Sequence, residues 1–282
     1  MTEPLISSQD VDHHYDRLIS STEWEDAISS LNAFLANSLE DDGKPIRLNG
    51  NLFYGHNRHN WAQEPYVPAF DMKRRNFFAM ATQTKSLLEI GVNGGHSLLL
   101  ALMANPNLEV YGIDVCERLE PNWSHVEVYV PAAFTWLQYH FPGRTKFIRG
   151  NSLVEVPKLS LERPDLRFGM YHLDGSKFTH LQEVVSAYHI LEDNALIVHD
   201  DSNLGPVRRG DRKLRLIGLT REFDQESLDC GSQIIIAFDK SRRARHGYNG
   251  WVALARSVTP LTSSQTSCRP HRQGQEGYSR YR

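Results

Sequence analysis

The chain has little of what marks membrane, secreted or thiolate-metal proteins. Its 282 residues include three cysteines, Cys116, Cys230 and Cys268. Their wide spacing and odd number, with no Cys-x-x-Cys pair, point to buried reduced thiols rather than a disulfide framework or a zinc knuckle. No apolar run reaches the roughly eighteen residues of a membrane helix. The start, Met1-Thr2-Glu3-Pro4, has neither the positive flank nor the apolar stretch of a secretory signal, so a cytoplasmic protein with no membrane partner is expected. An excess of one charge is missing too. Thirty-one Lys and Arg stand against 34 Asp and Glu, a net charge of -3. Nothing in that balance attracts phosphate backbones, and nucleic acid is not expected as a partner.

What remains is ordinary globular material, 40% hydrophobic and 23% charged, enough to bury a full core. Residues 1–70 are polar and mixed, with a helix expected from Ser21 to Leu39, where Trp24, Ile28, Leu31 and Leu35 fall near helical spacing. The aromatic and amide-rich segment from Asn51 to Trp61 has no periodicity and reads as an ordered loop; its place ahead of the core suits a lid over a substrate. From Asp71 the pattern becomes an alternation of strands and helices, the signature of a parallel sheet covered on both faces.

The spacing predicts helices at Lys73–Thr82, His96–Met103, Pro131–His140, Leu153–Lys158 and Lys177–Leu191. It predicts strands at Ser86–Gly91, Glu109–Asp114, Thr145–Arg149, Arg167–Asp174 and Ala195–Asp200. A further helix is expected at Lys213–Phe223. Two final strands, Gln233–Asp239 and Gly250–Ala255, would be joined as an antiparallel hairpin by the basic loop Ser241–His246. The fold class is therefore α/β, a doubly wound, mostly parallel seven-stranded sheet with a C-terminal hairpin, spanning residues 71–257. Residues 258–282, rich in Ser, Gln, Arg and Gly, are expected to be a disordered basic tail.

Leu87-Leu88-Glu89-Ile90 runs into Gly91-Val92-Asn93-Gly94-Gly95 and then into a helix, which places backbone amides at the carboxyl edge of the sheet, where ligands bind. A dinucleotide fingerprint would need glycine at 93 and 96, and the chain has Asn93 and His96. The second strand ends in Asp114, a carboxylate able to accept from both hydroxyls of a ribose.

Glu89 to Ser97 followed by Gly112-Ile113-Asp114 resembles the first two motifs of class I S-adenosylmethionine-dependent methyltransferases. Phe147 to Ser152 resembles the turn after the third strand that holds the adenine, with Asn151 where Asp is commoner. By that resemblance Glu89, Gly91, Asn93, Gly94, Ser97, Asp114, Asn151, Ser152 and Asp174 would surround S-adenosylmethionine.

The fourth strand ends at Asp174-Gly175 and the fifth at Asp200-Asp201, on strands expected to be neighbours about 5 Å apart. Three crowded carboxylates need a cation or a shared proton, and a hard divalent ion, most simply Mg2+, would serve. The arrangement resembles metal-dependent O-methyltransferases of the macrolide-sugar type, which makes Asp174, Asp200 and Asp201 the metal ligands. An Asp-Asp pair after a strand also caps loops, and in that case Asp174 or a histidine acts as general base directly.

Of thirteen histidines, His199 and His180 stand nearest this chemistry. Strand alternation turns His199 away from Asp200, leaving His180 with Asp174 as the catalytic candidates. Tyr54, His56 and His59 of the aromatic segment are the candidate substrate contacts.

The implied enzyme is a Mg-assisted O-methyltransferase acting on a small hydroxylated molecule, a sugar-bearing or phenolic natural product, with homo-oligomerisation left open. Three alternatives stand beside it. One is a metal-independent O- or N-methyltransferase. Another is a hydroxylase-like metal enzyme, since some proteins with this pattern resemble cephalosporin hydroxylases. The third is a non-catalytic binding protein on the same fold.

Overall fold

A computed structural model describes residues 9–55, 65–119, 123–202, 204–222 and 234–238. The anticipated strand at 250–255, the loop at 241–246 and the tail at 258–282 lie outside the described residues, as do His56, His59, Cys230 and Cys268.

Two helices open the described chain, α1 (Gln9–Ile19) and α2 (Thr22–Asp41), followed after a short 3-10 turn at Pro68–Phe70 by α3 (Asp71–Thr82). The alternating core then runs β1 (Ser86–Ile90), α4 (His96–Ala104), β2 (Glu109–Asp114), α5 (Val126–His140), β3 (Thr145–Arg149), α6 (Ser152–Glu162), β4 (Phe168–Leu173), α7 (His180–Ser186), β5 (Leu191–His199) and α8 (Gly205–Leu216). Two strands close it, β6 (Thr220–Glu222) and β7 (Ile234–Phe238).

The sheet has the order β3-β2-β1-β4-β5-β7-β6. The first five of these pair in parallel, and β7 runs antiparallel to both β5 and β6. The winding reverses between β1 and β4. In open α/β sheets that reversal opens a crevice beyond the carboxyl ends of the strands.

Period-two alternation distributes the strand residues between two cores. Leu87, Val110, Met170, Leu196 and Val198 face the side packed by α1 to α5. Leu88, Ile90, Tyr111, Ile113, Tyr171, Leu173 and Ile197 face the side packed by α6, α7 and α8. The N-terminal helices belong to the first core outright. Trp24, Ile28, Leu31 and Leu35 of α2 are buried together with Leu98 and Leu102 of α4 and Phe134 of α5. The Ser21 side chain caps α2 by accepting from the Trp24 amide at 3.2 Å.

Several boundaries differ from the sequence expectation for identifiable reasons. α5 begins at Val126, five residues before Pro131, where the sequence expectation set its start, and α6 runs on to Glu162 rather than ending at Lys158; both helices carry an internal proline, Pro131 and Pro157. α7 ends at Ser186 and β5 already begins at Leu191, so the expected 177–191 helix is divided. The helix expected at 213–223 lies earlier, at Gly205–Leu216, and Thr220–Glu222 is a strand. Its buried face consists of Val207, Gly210, Asp211 and Leu214. That stripe has helical spacing but only two apolar side chains, which hid it among arginines.

Since Trp24 is fully buried and donates its indole N–H to the Tyr66 hydroxyl at 2.9 Å, Trp24→Ala is expected to cost about 3–5 kcal/mol. Denaturant unfolding should show this as a shifted single transition. A cost below about 1 kcal/mol would mean that α2 does not share the cooperative core.

Candidate active site

The β1–α4 turn is shaped by three residues with left-handed backbone, Gly91 (φ 82°), Asn93 (φ 53°) and Gly95 (φ 74°). A Cβ on Gly91 would stand 2.7 Å from the carbonyl carbon of Asp174 and from the amide nitrogen of Gly175. Glycine is therefore required there twice over, by conformation and by the approach of the β4 turn. The Asp114 carboxylate organises the same turn from β2. One oxygen accepts from the Val92 and Asn93 amides at 2.8 and 3.3 Å, and the other accepts from the Cys116 amide at 2.8 Å. A carboxylate offers about four acceptor positions, so one stays available to a ligand hydroxyl.

Other residues of the motif have internal partners. Glu89 is fully buried. It accepts from the Ser97 hydroxyl at 2.7 Å on one oxygen and holds His172 Nδ1 at 2.7 Å on the other. The Asn93 amide donates to the carbonyls of Asn49 and Gly50, and its oxygen accepts from the Tyr129 hydroxyl at 2.9 Å. Asn93 is thus a clasp between the glycine turn and the N-terminal segment. A Cβ on Gly94 would meet the His96 ring at 2.8 Å. After β3, the Asn151 side chain caps α6 by accepting from the Leu153 amide, and Ser152 donates to Glu183 at 2.6 Å. Tyr54 is buried, and its hydroxyl accepts from Asn32 at 3.0 Å. Burial pushes that phenol up to about 12. The Tyr54 hydroxyl thus serves the packing of the N-terminal segment on the turn.

The three aspartates do converge. Asp174, Asp200 and Asp201 can each present one oxygen within 4.8 Å of the others. Two lysines that the sequence reading missed stand among them. Lys177 Nζ lies 2.6 Å from Asp174 and 3.2 Å from Asp201, and Lys73 Nζ lies 2.6 Å from Asp200 Oδ1. Lys177 is three residues beyond Asp174 on the turn after β4, a spacing visible in the sequence. Lys73 arrives from α3 and carried no local signal. The set suits an oxygen-preferring divalent cation: three hard carboxylates face one spot, and the Lys177 ammonium already stands in for a cation between two of them.

The electrostatics separate the carboxylates. Burial pushes Asp174 up to about 7, against the pull of Lys177 and with repulsion from Asp200 added. A quarter of its side chain stays open to solvent, which moderates the rise. Asp200 is also desolvated, yet Lys73, Lys177 and His172 together outweigh burial and hold it down to about 2. The acidic neighbours Asp174, Asp201 and Asp200 keep Lys177 an ammonium against its burial.

His180 does not join this cluster. It is 1% exposed, stacked on His199, with the two Nδ1 atoms 3.1 Å apart, and burial lowers it to about 2. Both rings lie on the α7 side of the sheet, while Asp200 faces α3. The expected separation of His199 from Asp200 is observed.

No family model and no curated protein matches the chain. Solved structures do. The O-methyltransferase TomG from Streptomyces achromogenes, in complex with SAM, is 17% identical over 85% of this chain and 99% of its own, with TM-score 0.49. An O-methyltransferase from Bacillus cereus in complex with SAH is 16% identical over 83% and 98%, with TM-score 0.49. A SAH-bound methyltransferase from Podospora anserina is 15% identical over 62% and 83%, with TM-score 0.47. Among the described residues, no helix is long and apolar enough to cross a membrane.

His96 gives the turn a pH dependence. Its Nε2 meets Asn32 Oδ1 at 2.8 Å and its Nδ1 meets the Asn51 amide at 3.2 Å, the pattern of a neutral ring, and burial lowers it to about 3. A histidine depressed below its unfolded value of about 6.5 contributes stability that is complete above that pH and is lost as pH falls toward 3. Wild type should therefore lose about 1.4 kcal/mol per pH unit relative to His96→Gln between about pH 6 and 4. Urea unfolding at several pH values measures the difference; parallel profiles would refute it.

Proposed function

We propose that this protein transfers a methyl group from S-adenosylmethionine to a hydroxyl of a small molecule, with a divalent cation assisting. The observation that carries the reading is the contact of Gly91 with Asp174–Gly175, because it brings the nucleoside-type turn and the carboxylate cluster to one edge of the sheet. The spare acceptor position of Asp114 suits a ribose hydroxyl. Asn151 and Ser152, at the start of α6, are the residues that would face the adenine in this reading, although the side-chain contacts they make here are the Leu153 amide and Glu183. When bound, S-adenosylmethionine supplies an electrophilic methyl group and a Mg2+ ion supplies Lewis acidity at the acceptor oxygen.

The chain's own contribution is position and proton management. Asp174, raised toward neutrality, is suited to take the acceptor's proton on Oδ2, since Lys177 donates to its Oδ1 at 2.6 Å. Asp200 and Asp201 hold the acceptor side. A vicinal diol or catechol, as in a sugar-bearing or phenolic natural product, matches an oxygen-lined site of this kind. The metal-independent version has one observation in its favour, since Lys73 and Lys177 already neutralise two of the three charges.

Calorimetry with S-adenosylmethionine and S-adenosylhomocysteine, with and without Mg2+, tests the reading. Both ligands should bind, and Asp114→Asn should weaken them by about tenfold or more, the worth of one hydrogen bond to a charged group. Absence of binding by either sinks every methyltransferase version. Binding and turnover that survive exhaustive chelation would select the metal-independent one.

A further inference from the structure

Lys73 is an unusual residue for its place. It sits on α3, 6% exposed, with its ammonium 2.6 Å from Asp200 Oδ1 and 5.6 Å from the centre of the Phe70 ring. A lysine is seldom buried without a partner, because stripping the ammonium of water is costly. Lys177 differs in kind. It follows Asp174 on the same turn and reaches Asp201, whose side chain is 41% exposed. Its own side chain is 17% exposed, twice the exposure of Lys73, so it is the ammonium with an open edge from which an arriving cation would displace it. Lys73, with 8% of its side chain exposed, has no such exit. It is the permanent cation of the site.

The charges then count as follows. With all three carboxylates ionised, as ligation requires, the two ammoniums leave the cluster at net -1, and with Lys177 withdrawn Lys73 alone leaves it at net -2 instead of -3. One oxygen of Asp200 is permanently committed, so a divalent ion meets a site shorter by one charge than the three aspartates suggest.

We propose that Lys73 is a positioning residue for the carboxylate cluster: its buried ion pair fixes the rotamer of Asp200 and weakens the hold of the site on a divalent cation, keeping that cation exchangeable. This rests on the reading of Asp174, Asp200 and Asp201 as cation ligands. Lys73 touches no reacting atom; it acts through Asp200.

The test is a Mn2+ titration of the full chain followed by electron paramagnetic resonance, on wild type, Lys73→Met and the double variant Lys73→Met/Asp200→Asn. Methionine keeps the length of the stem and removes the charge. Lys73→Met should bind Mn2+ about tenfold tighter or more, because a full negative charge is returned to the cluster. The double variant, with that charge removed again, should fall back toward wild type. Equal or weaker binding by Lys73→Met overturns the proposal and leaves the metal reading standing. Absence of binding by all three proteins overturns both, and S-adenosylmethionine calorimetry then still decides the methyltransferase reading by itself. Should Lys73→Met fail to fold alone, Mn2+ present during refolding should restore its native circular dichroism by taking up the stranded carboxylate. Failure to restore it also overturns the proposal.

Discussion

Two backbones touch at the carboxyl edge of the sheet because one residue has no side chain. With Gly91 in a left-handed conformation and no Cβ, the turn after β1 can lie directly against Asp174 and Gly175 after β4. β1 and β4 are the strands between which the winding of the sheet reverses. That reversal would leave an open crevice in any sheet of this order; the close approach makes it a narrow one, with a turn built by Asp114 on one wall and three aspartates on the other. Any larger residue at position 91 would meet the backbone of Asp174 and Gly175 and push the two walls apart.

The charged groups around this edge follow from alternation along the strands. On the side of α3 and α4 lie Glu89, His172 and Asp200, each buried and each answered by a specific partner: Ser97, Glu89 and Lys73. On the opposite side His199 meets His180. A core that accommodates so many polar groups gives up stability compared with an apolar one, since buried pairs roughly offset their own desolvation. In exchange the strand ends are registered to particular helices. α3 cannot slide along the sheet without stranding an ammonium, and α4 cannot do so without stranding a hydroxyl.

Much of this could be read from the residues in order. The five parallel strands carry period-two patterning and short turn signals, so each was found to within a few residues except for the start of β5, where the polar run Glu192-Asp193-Asn194 conceals a strand. The glycine turn, Asp114 and the convergence of the aspartates were legible because each lies at the end of a strand, where local pattern predicts position. Lys73 was not, since 127 residues separate it from Asp200 and only the packing of α3 brings them together. Nor could pattern reveal that Asn93, Glu89 and Tyr54 would spend their polar atoms inside the protein. Residue type says what a side chain can bind, whereas the choice among partners is made by tertiary neighbours.

Arg74, beside Lys73, donates to the carbonyls of Leu52 and Val67 and lies over the rings of Phe53 and Tyr66. Both ends of the span from 52 to 67 are thereby fastened to a single buried guanidinium. A segment clamped at both ends tolerates insertion between the clamps, since doubling its length adds only about 0.6 kcal/mol of closure entropy, whereas Phe53, Tyr54 and Tyr66 beside the anchors are tied into the core. Change along this stretch is therefore cheapest away from the two anchors and most costly at them, one residue from the buried pair of Lys73 with Asp200.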